Sequence, residues 1–239
     1  MQLFYLPDIT NKSILSKEES FHCLKVLRCK KDQLIHLTDG KGNLFSATID
    51  DENVEACSLK KVKKLYSLES KYKIHLVVAP PKRFEKSEWM IEKISEIGVD
   101  DVTFIYSQHS ERRKIKLDRL EKISIASMKQ SNSLKKLKIE EITSFQNFLK
   151  NFNESGEKFI AHMDKENKTI KTVFKKHKSY TILIGPEGDF SPNEIKDAYK
   201  KGFKGISLGK NTLKTRITSI NSCFSIWIKF CIFYMKHFY

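Results

Sequence analysis

Apolar positions follow two different rhythms along the chain. Up to about residue 68 they fall in short alternating runs, the period of half-buried strands. Leu34–Leu37 and Leu44–Ile49 flank Thr38-Asp39-Gly40-Lys41-Gly42-Asn43, a glycine-rich turn that predicts a hairpin. Lys17–Arg28 interrupts the strands, with Phe21, Leu24 and Leu27 at helical spacing. The run Lys60-Lys61-Val62-Lys63-Lys64 is read as the close of this small β-rich module, and Tyr66–Lys71 as a linker.

From about Lys73 strands and helices alternate. Ile74–Ala79 is a compact apolar strand ending at Pro80-Pro81. Ser87–Ile97 follows as a helix with Met90, Ile94 and Ile97 on one face, and Gly98 stands where a C-terminal cap belongs. Val102–Tyr106 predicts a strand and Lys116–Ser131 a helix. Leu137–Ile142, Phe159–His162 and Thr181–Ile184 predict further strands with helices between them. Such alternation implies an α/β fold, a parallel sheet covered by helices on both faces. The expected domains are 1–68 and 72–239.

The most informative stretch is Thr181–Glu194. A fully apolar strand enters Gly185-Pro186-Glu187-Gly188, and a helix start follows, with Ser191 as N-cap, Pro192 at the first position and Glu194 closing a capping box. Lys201-Gly202 ends that helix. Gly205–Leu208 then predicts a short strand running into the loop Gly209–Thr215 and a final helix. Glycine at a strand's carboxyl end lets backbone approach a ligand closely, and open α/β sheets bind ligands at that end. Tight strand-to-helix turns alone would explain one such loop. Two in succession point to a pocket. Neither loop carries GxxxxGK[ST] or GxGxxG, which weakens a nucleotide-using enzyme of another kind.

Charge narrows the partner. Lys and Arg number 44 against 29 acidic residues, a net charge of +15 that favours a polyanion such as RNA. Only six of the 44 are arginine, so a lysine-rich surface supplies part of the excess. The five cysteines are odd in number without CxxC spacing, and the seven histidines show no HxxxH pair. A disulfide framework and a metal site are therefore not expected. Met1–Asp8 lacks a basic stretch leading into an apolar core, so no secretory signal is expected. Phe224–Tyr239 is strongly apolar, broken by Lys229 and Lys236, and too short for a bilayer span of roughly 20 residues. A buried or interface helix and a reducing, cytoplasmic setting are expected.

Five ordered motifs carry a family resemblance over essentially the whole chain. They are His22-Cys23-Leu24-Lys25-Val26-Leu27-Arg28; Glu92–Val99 with its Lys93, Glu96 and Gly98; Ser110-Glu111-Arg112; Gln130-Ser131; and Ile184–Gly188 together with Ser207-Leu208-Gly209 and Leu213-Lys214-Thr215. Together they resemble the small-subunit ribosomal-RNA uridine-N3 methyltransferases, of the knotted SPOUT class. The resemblance implies a PUA-like N-terminal β-barrel that binds RNA and a C-terminal SPOUT-type parallel sheet closed by a trefoil knot. It also implies a homodimer, S-adenosyl-L-methionine as cofactor, and methyl transfer to N3 of a uridine in 16S rRNA, free or in the 30S subunit, with no role for DNA or a membrane. The implied cofactor residues are Leu183, Gly185, Glu187, Gly188, Leu208, Gly209 and Leu213. Lys214, Arg112 and Glu187 are the candidate catalytic groups, and His22, Arg28 and Arg112 the candidate RNA contacts. Several positions depart from the family pattern, among them Ser133 or Lys135 for an arginine after Gln130-Ser131 and a more aromatic Trp227–Tyr239. Asp189 replaces a second glycine, Lys214 an arginine, and Arg216 an acidic residue. These departures motivate the alternative of a catalytically impaired RNA-binding or ribosome-assembly protein that keeps the fold.

Overall fold

The computed structural model describes residues 2–69, 72–164, 167–169, 173 and 178–207. The chain divides into two compact units, 1–69 with 125–136, and 70–124 with 137–239. Residues 125–136 thus group with the first unit, although they lie well beyond the expected boundary near residue 70.

The first unit holds a four-stranded sheet in the order β1-β2-β3-β4, formed by Leu3–Tyr5, Leu34–Thr38, Asn43–Ile49 and Leu59–Ser67. β1 runs parallel to β2, and the β2–β3 hairpin is antiparallel as its turn predicts. The turn is closed by the Asp39 carboxylate, which accepts from the Lys41 N–H at 2.8 Å and the Asn43 N–H at 3.3 Å. Gly40 and Gly42 take positive φ there. Alternate residues of the hairpin, Ile35, Leu37, Phe45, Ala47 and Ile49, join Phe4, Cys23 and Cys57 in one core.

Two local expectations need correction in this unit. The lysine run does not end the module: β4 continues to Ser67, into the first two residues of the segment read as a linker. It lies at the end of the sheet order, so most of its side chains face water and lysine is tolerated; edge lysines also discourage further strand pairing. The helix predicted over Lys17–Arg28 is shorter. α1 covers Lys17–Phe21 and passes into a π-helical turn, His22–Val26, in which the Leu27 N–H reaches the His22 carbonyl at 2.9 Å. Burial pushes the Cys57 thiol up to about 11.

The second unit is a parallel sheet of seven strands among the described residues. In chain order they are β5 (Ile74–Val78), β6 (Asp101–Tyr106), β7 (Lys138–Ser144), β8 (Glu157–Ala161), β9 (Lys168–Thr169), β10 (Tyr180–Ile184) and β11 (Lys204–Ser207). Their spatial order is β7-β6-β5-β10-β8-β11-β9. The helices described in this part of the chain are α2 (Phe84–Glu96), α3 (Leu117–Gln130), α4 (Phe145–Asn151) and α5 (Pro192–Lys200). Alternation along the buried strands sorts the side chains to two faces. Leu76, Val78, Val102, Phe104, Ile182 and Ile184 pack with Met90, Ile94 and Leu120 of α2 and α3. Val77, Ile105, Ile160 and Leu183 pack with Phe145, Phe148 and Ala198 of α4 and α5. Helices therefore cover both faces. β10, late in the chain, is inserted between β5 and β8, pairing with both. The trefoil knot implied for the last strands and loops involves residues from 208 onward, which lie outside the described residues.

At the amino ends of the strands a polar network crosses the sheet edge. His75 is hydrogen-bonded through Nδ1 to Glu154 at 2.9 Å and through Nε2 to Thr103 at 2.8 Å. Lys73 pairs with both Asp101 and Glu154, and the Thr181 hydroxyl donates to Glu154 at 3.1 Å. His75, Asp101 and Glu154 bring donor atoms of metal-ligand type within 4.8 Å of one another, and Lys73 supplies positive charge to that set. Hydrogen bonding from His75 and the nearby Lys73 ammonium pull the Glu154 carboxyl down to about 2. Its folded value lies below its ordinary value, so the stability it contributes is present above about pH 4.5 and is lost as pH falls towards 2. Glu154→Gln is expected to lower stability throughout the range above about pH 4.5 and, with that contribution gone, to flatten the fall between there and pH 2. An unchanged acid limb in denaturant melts between pH 5 and 2 would contradict this role.

Candidate functional site

The carboxyl ends of the three adjacent strands β6, β5 and β10 lead into the loops that carry the candidate chemistry. Pairing of β5 with β10 extends into the loops, where the Ala79 N–H donates to the Ile184 carbonyl at 3.0 Å. Gly185 follows where a side chain would be crowded: a Cβ there would lie 3.1 Å from the Phe190 ring and 3.2 Å from its backbone nitrogen. The chain then turns, with the Asp189 N–H reaching the Pro186 carbonyl at 3.1 Å. Gly188 is also confined, since a Cβ would lie 3.2 Å from the Cβ of His109.

The capping box predicted for α5 is present. Ser191 accepts from the Glu194 N–H, and Glu194 accepts from the Ser191 N–H at 2.9 Å. Glu194 does more than cap. It is 7% exposed, and its second oxygen accepts from the Gln108 N–H at 2.9 Å, tying the loop after β6 to the start of α5.

That β6 loop carries Arg112. A small turn precedes it, with the Ser107 N–H donating to the Ser110 hydroxyl at 2.9 Å. The Arg112 guanidinium donates from Nε and Nη2 to the Lys82 carbonyl, at 3.2 and 2.8 Å, and lies 5.8 Å from the Phe84 ring centre. Lys116 and Arg119 approach the same ring at 5.8 Å. Glu111 pairs with Lys82 at 2.8 Å. Glu187, in the glycine loop, meets Lys86 at 3.5 Å. Arg112 and Glu187, catalytic candidates 75 positions apart in sequence, thus each bind the segment Lys82–Lys86 at the start of α2. Through it they converge on one neighbourhood.

The remaining sequence candidates fall as follows. Gly185, Glu187 and Gly188 share the loop after β10, while the Leu183 side chain is wholly buried in the core on the α4–α5 face. Leu208, Gly209, Leu213 and Lys214, with the divergent Arg216, lie outside the described residues. His22 and Arg28 belong to the first unit. The His22 ring meets Phe4 edge-on at 6.2 Å, and Arg28 is exposed with φ of 56°. Asp189 has φ of 59°, which accounts for a glycine preference at that position; aspartate is among the few side chains that tolerate it. Its carboxylate also accepts from the Phe190 N–H at 2.7 Å and the Met163 N–H at 3.3 Å. Sequence reasoning missed Lys86, His109 and the reach of Glu194 to Gln108. The capping box flags Glu194, but its second partner is 86 positions away, and nothing local marks His109.

Comparisons with known proteins bear on this arrangement directly. Residues 68–227 match the family model of an RNA methyltransferase domain, and residues 15–62 that of an RNA methyltransferase PUA domain. The chain belongs to the RNA methyltransferase family. It is 31% identical over 220 residues to the ribosomal RNA small subunit methyltransferase E of Buchnera aphidicola, covering 89% of this chain and 86% of that protein. A probable rRNA-methyltransferase from Porphyromonas gingivalis superposes with a TM-score of 0.87 at 35% identity, covering 96% and 100% of the two chains. The ribosomal RNA small subunit methyltransferase E of Neisseria gonorrhoeae, solved with S-adenosyl methionine, shares the fold at a TM-score of 0.82 and 23% identity, with 96% and 98% coverage. For this RNA methyltransferase the alternative of a retained fold without turnover finds no support, because these relatives are themselves named as methyltransferases.

Proposed function

We propose that this chain transfers a methyl group from S-adenosyl-L-methionine to N3 of a uridine in 16S rRNA. The observation that carries the reading is the convergence of the glycine loop and the Arg112 loop at the carboxyl edge of the parallel sheet, in a member of the RNA methyltransferase family. The glycine loop suits such a cofactor: it stands at the ligand-binding end of the sheet, and Gly185 and Gly188 let it pack closely on Phe190 and His109. The loop Gly185–Gly188 forms one wall, and Leu208, Gly209 and Leu213 are proposed for the other. When bound, the cofactor supplies an electrophilic methyl on a sulfonium.

The protein's part is to bring the base into line and to favour loss of the N3 proton. Arg112 and Lys214 stabilise negative charge as it spreads onto the carbonyl oxygens beside N3. Glu187, held by Lys86, is proposed to take or orient the proton. The cations around Phe84, and Arg113 over Tyr106 at 5.4 Å, provide a basic surface beside the same loops for RNA phosphates. In the first unit, exposed Arg28 and the π-helical turn that His22 opens are proposed as further RNA contacts. The 30S subunit as substrate, a homodimer using the apolar stretch 224–239, and a cytoplasmic location complete the proposal.

Calorimetric titration with S-adenosyl-L-methionine tests the pocket, and saturable binding at one site per chain is expected. For RNA, neutralising roughly four phosphates lowers affinity about 10²-fold between 50 and 200 mM salt. A flat salt response in filter binding would exclude a phosphate-dominated surface.

A further inference from the structure

The glycine loop is gripped from two sides by residues with no part in the proposed chemistry. On one side the Asp189 carboxylate receives the Met163 N–H from the segment after β8. On the other, His109 reaches over from the loop after β6, its Nδ1 lying 3.1 Å from both the Gly188 and the Asp189 carbonyl oxygens. Carbonyls only accept, so Nδ1 carries the hydrogen and shares it between two acceptors. The His109 Cβ lies so near that a Cβ at Gly188 would crowd it at 3.2 Å. His109 is also three residues before Arg112, and its neighbour Gln108 is bound through its N–H to Glu194. One short segment, Gln108–Arg112, therefore holds the glycine loop at one end and carries the candidate cation at the other.

We propose that His109 is a positioning residue for methyl transfer. Its Nδ1–H holds the Gly188–Asp189 carbonyls, and so fixes the cofactor wall of the pocket in register with Arg112. The inference rests on the reading of this loop as the cofactor site. It assigns His109 no proton transfer: its role is to donate one hydrogen bond to the backbone of the loop. Because the side chain is exposed, its loss costs little in folding but leaves the loop free to move away from its binding form.

The test titrates S-adenosyl-L-methionine into the full chain and three variants, alongside thermal melts and initial rates of methyl transfer. His109→Ala is expected to weaken cofactor binding about 5–10-fold, the loss of one ordinary hydrogen bond. It should raise KM for the cofactor more than it lowers kcat, and leave the melting temperature nearly unchanged. His109→Asn places an amide N–H near the position of Nδ1 and is expected to restore most of the affinity. His109→Gln sets its amide one bond further out and is expected to behave like alanine. Equal affinity of wild type and His109→Ala would overturn the inference while leaving the cofactor reading intact. So would equal losses in all three variants with a matching fall in melting temperature, the sign of a merely structural residue. Absence of binding by the wild type would remove the cofactor reading, and this inference with it.

Discussion

Replacing Arg112 by alanine is expected to lower kcat for methyl transfer by about 10²–10³-fold, the usual loss for a group that stabilises developing charge. The geometry explains why the loss should appear in turnover rather than in folding. The guanidinium is half-buried over Phe84, and Nε and Nη2 anchor on the Lys82 carbonyl. That anchoring leaves Nη1 to meet a ligand. It also holds the charge in place, so little reorganisation is needed during the reaction. Lysine keeps the charge but loses the planar fork, and Arg112→Lys should recover part of the activity at most. Initial rates on small ribosomal subunits, with melts of both variants, decide the matter. An unchanged kcat with a raised KM for RNA would move Arg112 from the chemistry to substrate binding.

Glu194 should show the largest effect on stability. Its carboxylate is buried and accepts from the Gln108 N–H, the Ser191 N–H and the Ser191 hydroxyl at 2.9, 2.9 and 3.0 Å. Alanine removes the acceptor and leaves those donors without it, at about 1–3 kcal/mol for each donor left buried and unsatisfied. A net loss of about 3 kcal/mol is expected in denaturant melts of Glu194→Ala. Glutamine preserves one acceptor oxygen but points an amide N–H at a donor, so Glu194→Gln should fall between. Methyl transfer should also drop, because Gln108 is released from α5 just before Arg112. A Glu194→Ala protein within about 0.5 kcal/mol of wild type would place the bond outside the stability of this unit.

Local pattern made the strands of the second unit legible. Ile74–Ala79, Val102–Tyr106 and Thr181–Ile184 are compact apolar runs because both faces of a parallel sheet are covered. The start of α5 was equally plain, since Ser191, Pro192 and Glu194 satisfy the end of the helix within four residues. β4 was harder to see: an edge strand filled with lysine resembles a polar close to the module, and its pairing with β3 rather than its own side chains keeps it extended. The π-helical turn at His22–Val26 has no periodic signature that separates it from α-helix. Strand order was also hidden, as nothing in β10 itself says that it enters between β5 and β8.

At the site, the glycine loop and Arg112 were found from motifs, but what joins them was not. The Lys86–Glu187 and Glu194–Gln108 contacts span 101 and 86 positions, and His109 reaches Gly188 across 79. Side-chain links of that range arise from the parallel topology, which brings distant loops to one edge. Asp189 shows the converse. As a departure from the family pattern it read as a threat to activity, yet its backbone conformation is one that aspartate tolerates and its carboxylate gains partners.

The most direct measurement is transfer of labelled methyl from S-adenosyl-L-methionine into small ribosomal subunits that lack the modification, followed by nucleoside analysis of the 16S rRNA. One methyl group per subunit, recovered as N3-methyluridine, is the result this account predicts. Cofactor binding without incorporation, or label recovered on another atom or in another RNA, would contradict it.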